Sequence, residues 1–360
     1  MVSVIGAGYV GSYTSYLLAK NGFKVNIYEE HNKVGKPVRD TGIVTSTLNS
    51  LVKIDKDFID NEVNKVRIFS GKEFLELNIR KEYILDRVKF DKYLLQLALD
   101  NKARLFLKHK LVDFENFNGK INLKFSNNKV YSDDILVGAD GPSSFVAKKS
   151  SLIKDREYLI GLEARAKLKI DEDSFEVYPS LVNDFFGWVV PEGNDIVRIG
   201  IATRNNNVKL HFDKFLKLKK IKKVLSYNGG LITVYKRNYN FSKDNIYLVG
   251  EAAGLVKNTT GGGILTGMIS GQELLRSLKE NRNYGMLIRK RLGKELFYHD
   301  LIRKSLNKFN ERDYRELIEL LNEPKVRGFM NNINRDFPSS FIFKLFFTEP
   351  RLLKFIFKMF

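Results

Sequence analysis

The chain has 360 residues and no cysteine, which removes disulfides, thiolate metal sites, iron–sulfur clusters and cysteine nucleophiles together. Its four histidines, His31, His109, His211 and His299, show no ligand-like spacing, so no metal site is expected and redox chemistry has to come from a bound organic cofactor. The net charge of +19 fits a lysine-rich solvated surface, attraction to anionic lipid, or a phosphate-bearing substrate. Nucleic acid is not an expected partner, because no helix-turn-helix, zinc finger or aromatic RNA-binding strand accompanies the charge.

Val2–Ile5 is a short apolar run that reads as a buried parallel strand. It breaks at Gly6-x-Gly8-x-x-Gly11, and a helix over Ser12–Lys20 stops at Asn21-Gly22. A second strand, Val25–Tyr28, ends in Glu29, 18 residues after Gly11. Gly6 makes the turn, Gly8 admits a pyrophosphate to the backbone, and Gly11 lets helix and strand pack closely. Phosphates would sit at the helix N-terminus and ribose hydroxyls against Glu29. An isolated glycine motif also occurs as an ordinary turn, but here every part follows in the order a dinucleotide site requires. The motif begins almost at Met1, so no leader is expected.

A loop over His31–Arg39 leads to Arg39-Asp40-Thr41-Gly42. Arg39 reads either as a surface cation or as a partner for cofactor phosphate or ring. Short strands are expected at Val66–Phe69 and Glu73–Leu77, and a helix entered from Tyr83–Asp91, with Leu94, Leu95, Leu97 and Ala98 as its apolar face. Ala103–Phe114 and Lys120–Phe125 read as meander strands turning at Asn118-Gly119. Asp134–Gly138 reads as another parallel strand, ending in Ala139-Asp140-Gly141. Asp140 is therefore either a ligand residue at a strand's carboxyl end or a helix cap.

Tyr158–Tyr239 reads as an antiparallel sheet, with the basic run Asp213–Lys223 as a solvated helix face. Within it, Phe186-Gly187-Trp188-Val189-Val190-Pro191 puts the only tryptophan either in the core or in the wall of an apolar pocket. Asn245–Gly250 returns to the parallel sheet, Glu251-Ala252-Ala253-Gly254 follows, and Thr260–Gly263 precedes a helix from Ile264 to about Leu278. Those glycines leave a helix N-terminus open to a ligand. Leu287–Leu321 reads as helical. The tail Phe341–Phe360 reads either as an interfacial membrane helix or as a helix docked on its own protein, with Arg351, Lys354 and Lys358 on one face.

Four separated pieces, Gly6-x-Gly8-x-x-Gly11…Glu29, Arg87-x-x-Phe90-Asp91, Gly138–Gly141 and Gly250–Gly254…Thr260–Gly263, together resemble the FAD-dependent group that contains para-hydroxybenzoate hydroxylase and the geranylgeranyl reductases. Lys36–Val44 and Phe186–Pro191 are similar to the reductase branch. The resemblance implies an α/β fold: a Rossmann-type FAD-binding domain (1–50, 80–155 and 240–280) and an antiparallel-sheet substrate domain (51–79 and 156–239), with a helical C-terminal region (281–360). It implies FAD held by Gly6, Gly8, Gly11, Glu29, Arg39, Thr41, Gly42, Arg87, Val112, Asp140, Glu251, Gly262, Gly263 and Ile264. Phe186, Trp188 and Pro191 would line an isoprenoid channel. The implied activity is reduction of isoprenoid double bonds in a membrane lipid, with an electron donor the motifs do not identify, in the cytoplasm or at the membrane surface. A flavin monooxygenase and a non-catalytic flavin- or lipid-binding protein are the rival readings. Asp40 stands where many relatives have cysteine, Glu251 where aspartate is usual, Asn258 for a common proline and Glu192 for a typical lysine. Asp40 and Tyr178 are the proton-donor candidates.

Overall fold

A computed structural model describes residues 1–331 and 333–358, with the side chains of residues 356 and 357 outside the description. Its first half runs β1 (Val2–Ile5), α1 (Tyr9–Lys20), β2 (Val25–Tyr28), β3 (Ile43–Thr45), β4 (Ile59–Ser70), β5 (Glu73–Leu85), α2 (Arg87–Asp100), β6 (Arg104–Phe106), β7 (Leu111–Phe117), β8 (Lys120–Phe125), β9 (Val130–Asp133), β10 (Ile135–Gly138) and α3 (Phe145–Lys149). Four fully buried residues make up each of β1 and β2, as expected of strands covered on both faces. A parallel core β10-β1-β2 extends to β6 on one side. Asn118 and Gly119 both take positive φ, 51° and 77°, and make the expected hairpin turn between β7 and β8.

The second half runs β11 (Tyr158–Lys167), β12 (Ser174–Tyr178), β13 (Phe186–Gly193), β14 (Ile196–Thr203), α4 (Val208–Leu218), β15 (Lys223–Thr233), β16 (Ser242–Lys243) and β17 (Ile246–Leu248). After α5 (Ile264–Glu280) come α6 (Tyr284–Ile288), α7 (Lys294–Leu306), α8 (Glu311–Asn322), α9 (Pro324–Met330), α10 (Ile342–Thr348) and α11 (Leu353–Phe357). β17 and β16 complete a six-stranded sheet of order β16-β17-β10-β1-β2-β6. The eight-stranded sheet has the order β15-β11-β14-β13-β12-β4-β5-β3, antiparallel except where β12 meets β4. No helix among the described residues is long and apolar enough to cross a membrane.

Several elements differ from the sequence reading for local reasons. β6 pairs with β2 in the parallel sheet rather than joining the meander, because the chain breaks at Lys108, whose φ is 57°. β4 and β5 are much longer than the expected strands and turn at Gly71. α2 starts only at Arg87, where the Asp86 carboxylate accepts from the Lys89 amide at 3.0 Å. The Asp213–Lys223 run divides between the end of α4 and the first residue of β15. The helical stretch from Leu287 breaks after Leu306, and α8 restarts in a capping box between Asn310 and Asp313. β3 and the end of β5, which the expected boundaries put with the FAD-binding segments, pair inside the eight-stranded sheet.

The C-terminal helices cover one face of that sheet, where Val66, Leu75, Leu77, Val190, Ile318, Leu321, Leu352 and Phe355 share a cluster. The tail is thus docked on its own protein as far as it is described; Met359 and Phe360 lie outside the described residues. Arg351, Lys354 and Lys358 pair with Glu323 and Glu349, Glu316, and Asp313 respectively. The cations of these pairs reach into solvent, which screens the attraction, so the buried apolar residues carry most of the docking. Two further contacts fix it: Lys257 pairs with Asp336, and Arg335 donates to both oxygens of Glu82 at 2.6 Å. Burial pulls the Asp336 carboxyl up, but the Lys257 and Arg335 cations outweigh it and hold it well below the usual carboxylate range. Asp336 therefore contributes stability above about pH 4 that is lost as pH falls further. Asp336→Ala leaves Lys257 buried without a counter-charge and is expected to cost about 3–5 kcal/mol, read as a lower urea midpoint at neutral pH.

Candidate functional site

The glycine loop fits a pyrophosphate. A Cβ on Gly11 would lie 2.0 Å from the Gly6 carbonyl oxygen, so helix and loop touch there; a Cβ on Gly8 would meet nothing within 4 Å, and the space above it is open. α1 begins at Tyr9 with no side-chain cap, which leaves its first amides for an anion. Glu29 is tied into the same loop. Its carboxylate accepts from the Ala7 amide at 2.8 Å and from the His31 amide at 3.0 Å, with lone pairs left over for hydroxyl groups.

The loop Arg39–Gly42, Tyr9, Glu251 and Gly261–Ile264 come together at one end of a cavity of about 580 Å³. The first turn of α5 carries no side-chain cap either. Gly262, Gly263 and Ile264 therefore present a second uncapped helix N-terminus to the cavity, as the glycine run suggested. Arg39 is exposed at the rim. Behind the loop, Arg87 is buried under the Tyr9 ring at 4.4 Å and pairs with Asp40 and, at 2.8 Å, with Asp91. It packs against Gly42 and does not line the cavity, so it acts on the loop. Burial, then repulsion from Asp40, pushes the Glu251 carboxyl up to about 7, and the Tyr9 hydroxyl donates to it at 3.3 Å.

Seven expected cofactor residues do not line the cavity: Gly6, Gly8, Gly11 and Glu29, which belong to the glycine loop and its anchor, Arg87 behind the Arg39–Gly42 loop, and Val112 and Asp140. Val112 is 41% exposed on β7. Asp140 accepts from Ser144 Oγ at 2.5 Å and the Val146 amide at 3.1 Å, which makes it a cap of α3.

From the glycine end the cavity runs between the eight-stranded sheet and α7, α8 and α10, with mostly aliphatic and aromatic walls. Phe186, Trp188 and Val190 line it together, as strand alternation requires. Pro191 points to the other face, buried, beside a bulge between Pro191 and Gly193. Tyr178 is also outside: its hydroxyl donates to Glu176 at 2.6 Å and accepts from Lys219 at 2.8 Å. Trp188 is fixed by an N–H donated to Glu163 at 2.9 Å, and Thr41 donates to the same carboxylate oxygen at 2.5 Å. Its indole occupies the space that a Cβ on Gly200 would need, 2.3 Å away. Glu163 escapes sequence reasoning because nothing in Tyr158–Lys167 distinguishes it; Tyr9 and Asp91 stand inside quoted motifs, but their pairing with Arg87 is visible only in three dimensions.

Gly8→Val is expected to fold normally and lose bound flavin, because the branched side chain fills the space the phosphates need. Gly11→Ala is expected to fail in folding. Flavin absorbance together with melting temperature separates the two, and a Gly8→Val protein that stays yellow at unchanged affinity would put the phosphates elsewhere. Because Glu251 keeps its proton up to about 7, the native state binds more protons than the unfolded chain between the usual carboxylate range and that value. Ionising it costs stability, fully so above that range. Flavin-stripped Glu251→Gln should therefore melt higher than wild type near pH 8, with the gap closing near pH 5.

An NAD(P)-binding Rossmann-like domain model matches residues 4–44. A digeranylgeranylglycerophospholipid reductase of Thermoplasma acidophilum is 27% identical over 362 residues, spanning 89% of this chain and 91% of that protein. Digeranylgeranylglycerophospholipid reductase 3 of Methanosphaera stadtmanae is 27% identical over 368 residues, spanning 89% and 90%. The crystal structure of a geranylgeranyl bacteriochlorophyll reductase-like protein from Thermoplasma acidophilum superposes with a TM-score of 0.86 at 24% identity, over 100% of this chain and 98% of that one. A flavin-dependent halogenase superposes with a TM-score of 0.71 at 14% identity, over 98% and 77%, which marks the fold as one shared among flavoproteins. The likeness to the geranylgeranyl reductase group of FAD-dependent oxidoreductases, drawn from four motifs together with Lys36–Val44 and Phe186–Pro191, thus holds along nearly the whole chain.

Proposed function

We propose that the chain is an FAD-dependent reductase that saturates isoprenoid double bonds of a membrane lipid or its precursor. The observation that carries this reading is the long apolar cavity that begins at the uncapped N-terminus of α5. Gly6, Gly8, Gly11 and Glu29 would hold the nucleotide half of FAD, and Thr41, Gly42, Glu251, Gly262, Gly263 and Ile264 the flavin half. When bound, the cofactor supplies the hydride.

The protein's share is alignment and exclusion of water, since an isolated C=C offers no carbonyl to polarise. Phe186, Trp188 and Val190 form one wall for an apolar chain, and Phe309, Leu317, Leu345 and Phe346 the opposite wall. The amides of Ile264 and its neighbours favour negative charge on the cofactor. Glu251 and Asp40 are among the carboxyls that line the same end of the cavity. Glu251 keeps its proton up to about 7, and Asp40 carries one buried oxygen, Oδ1, without a partner. Tyr178 is set aside as a proton donor by its bonds to Glu176 and Lys219.

Trp188→Ala removes contact area beside the alkene, so turnover of a prenyl lipid should fall further than flavin affinity does. A purely core role predicts instead a stability loss of roughly 3–5 kcal/mol with normal turnover per folded molecule. Melting temperature and anaerobic turnover on this one variant decide between the two.

A further inference from the structure

α10 is a single-helix wall with two different faces. Ile342, Leu345 and Phe346 line the apolar cavity. Phe343 and Phe347, four residues apart on the outer face, are 56% and 86% exposed. Leaving two phenylalanines in water is unfavourable, and neither is needed to hold the helix down, because the inner face does that. The patch continues onto α7, where Tyr298 meets Phe343 edge-on at 6.0 Å and Phe297 is itself 39% exposed. Cations surround it. Lys344 and Lys294 are exposed and have no carboxylate partner among the described residues, and the exposed Arg237 lies over the Phe297 ring at 5.7 Å.

We propose that this face docks on an anionic lipid bilayer, with Phe343 and Phe347 inserted at the interface and Lys344, Lys294 and Arg237 against lipid headgroups. The three exposed aromatic side chains, Phe297, Phe343 and Phe347, are too little for a stable contact between two copies of the chain, which buries about 1,200–2,000 Å²; they suffice for shallow insertion backed by charge. Docking there sets the α10 wall of the cavity against the lipid. That a prenyl chain passes by that route rests on the function proposed above; the docking does not.

The test is sedimentation of the full, flavin-loaded chain with vesicles of phosphatidylglycerol and phosphatidylcholine, and with phosphatidylcholine alone. Wild type should bind the anionic vesicles, less so at high salt. Phe343→Ser/Phe347→Ser should weaken that binding by about tenfold or more, with melting temperature and flavin content unchanged. Leu210→Ser/Leu218→Ser, which alters exposed leucines on α4, should bind like wild type. Equal binding by the phenylalanine variant, a loss confined to the leucine variant, or no wild-type binding to either vesicle overturns the proposal. So does a wild-type dimer in gel filtration that the phenylalanine variant dissociates. Vesicle binding as predicted without reduction of a prenyl lipid leaves the docking standing and removes the reductase reading alone.

Discussion

Residues 335 and 336 anchor the C-terminal segment that covers the cavity. Lys257, Asp336 and Glu82 are buried, and a buried charge is costly unless its partners are all in place. Here they are: Asp336 also accepts from the hydroxyls of Thr45 and Thr47, the latter at 3.1 Å, and Glu82 takes both arms of Arg335. One docking of the C-terminal segment satisfies every charge at once, so the pairs select a position more than they add stability. That position lays α8 and α10 over β4, β5 and β13, whose apolar residues would otherwise face water. The long cavity and its contact with the end of α5 both follow from it.

The substitutions that set this chain apart from the reductase pattern have partners of their own. Asp40 pairs with Arg87 and so joins the loop before β3 to the start of α2. Glu192 takes Arg165 and Arg198, and Arg198 donates in turn to the Thr41 and Leu85 carbonyls at 2.6 and 2.9 Å. The Asn258 side chain accepts from the Tyr235 amide at 2.8 Å and donates to its carbonyl at 3.1 Å and to Asp300 at 2.9 Å. Each fastens backbone close to the cavity. Glu192 and Asn258 thus belong to the scaffold around the site, whereas Asp40 and Glu251 also line the cavity itself.

Local pattern made the nucleotide half legible. β1, α1 and β2 are short, consecutive and marked by glycines, and β10, β17 and α5 repeat the same signs. Alternation along β13 correctly joined Phe186, Trp188 and Val190; the same alternation puts Pro191 on the opposite face, which a motif read as a unit conceals. The tail was legible as amphipathic but not as a cavity wall, because its partners on β4 and β5 lie more than two hundred residues away. Glu163 and the Arg335–Glu82 pair were equally hidden, since no local spacing marks a charge whose partner is brought in by the fold. Tyr178 looked available because Lys219, which holds it, lies beyond two strands and a helix in the chain.

Mass spectrometry of a prenyl lipid after anaerobic incubation with flavin-loaded protein and a chemical reductant tests the reductase chemistry most directly. The predicted result is a gain of two hydrogens for each bond saturated, dependent on the flavin and independent of oxygen. A lipid of unchanged mass under argon, with an oxygen-bearing product formed in air, would contradict it.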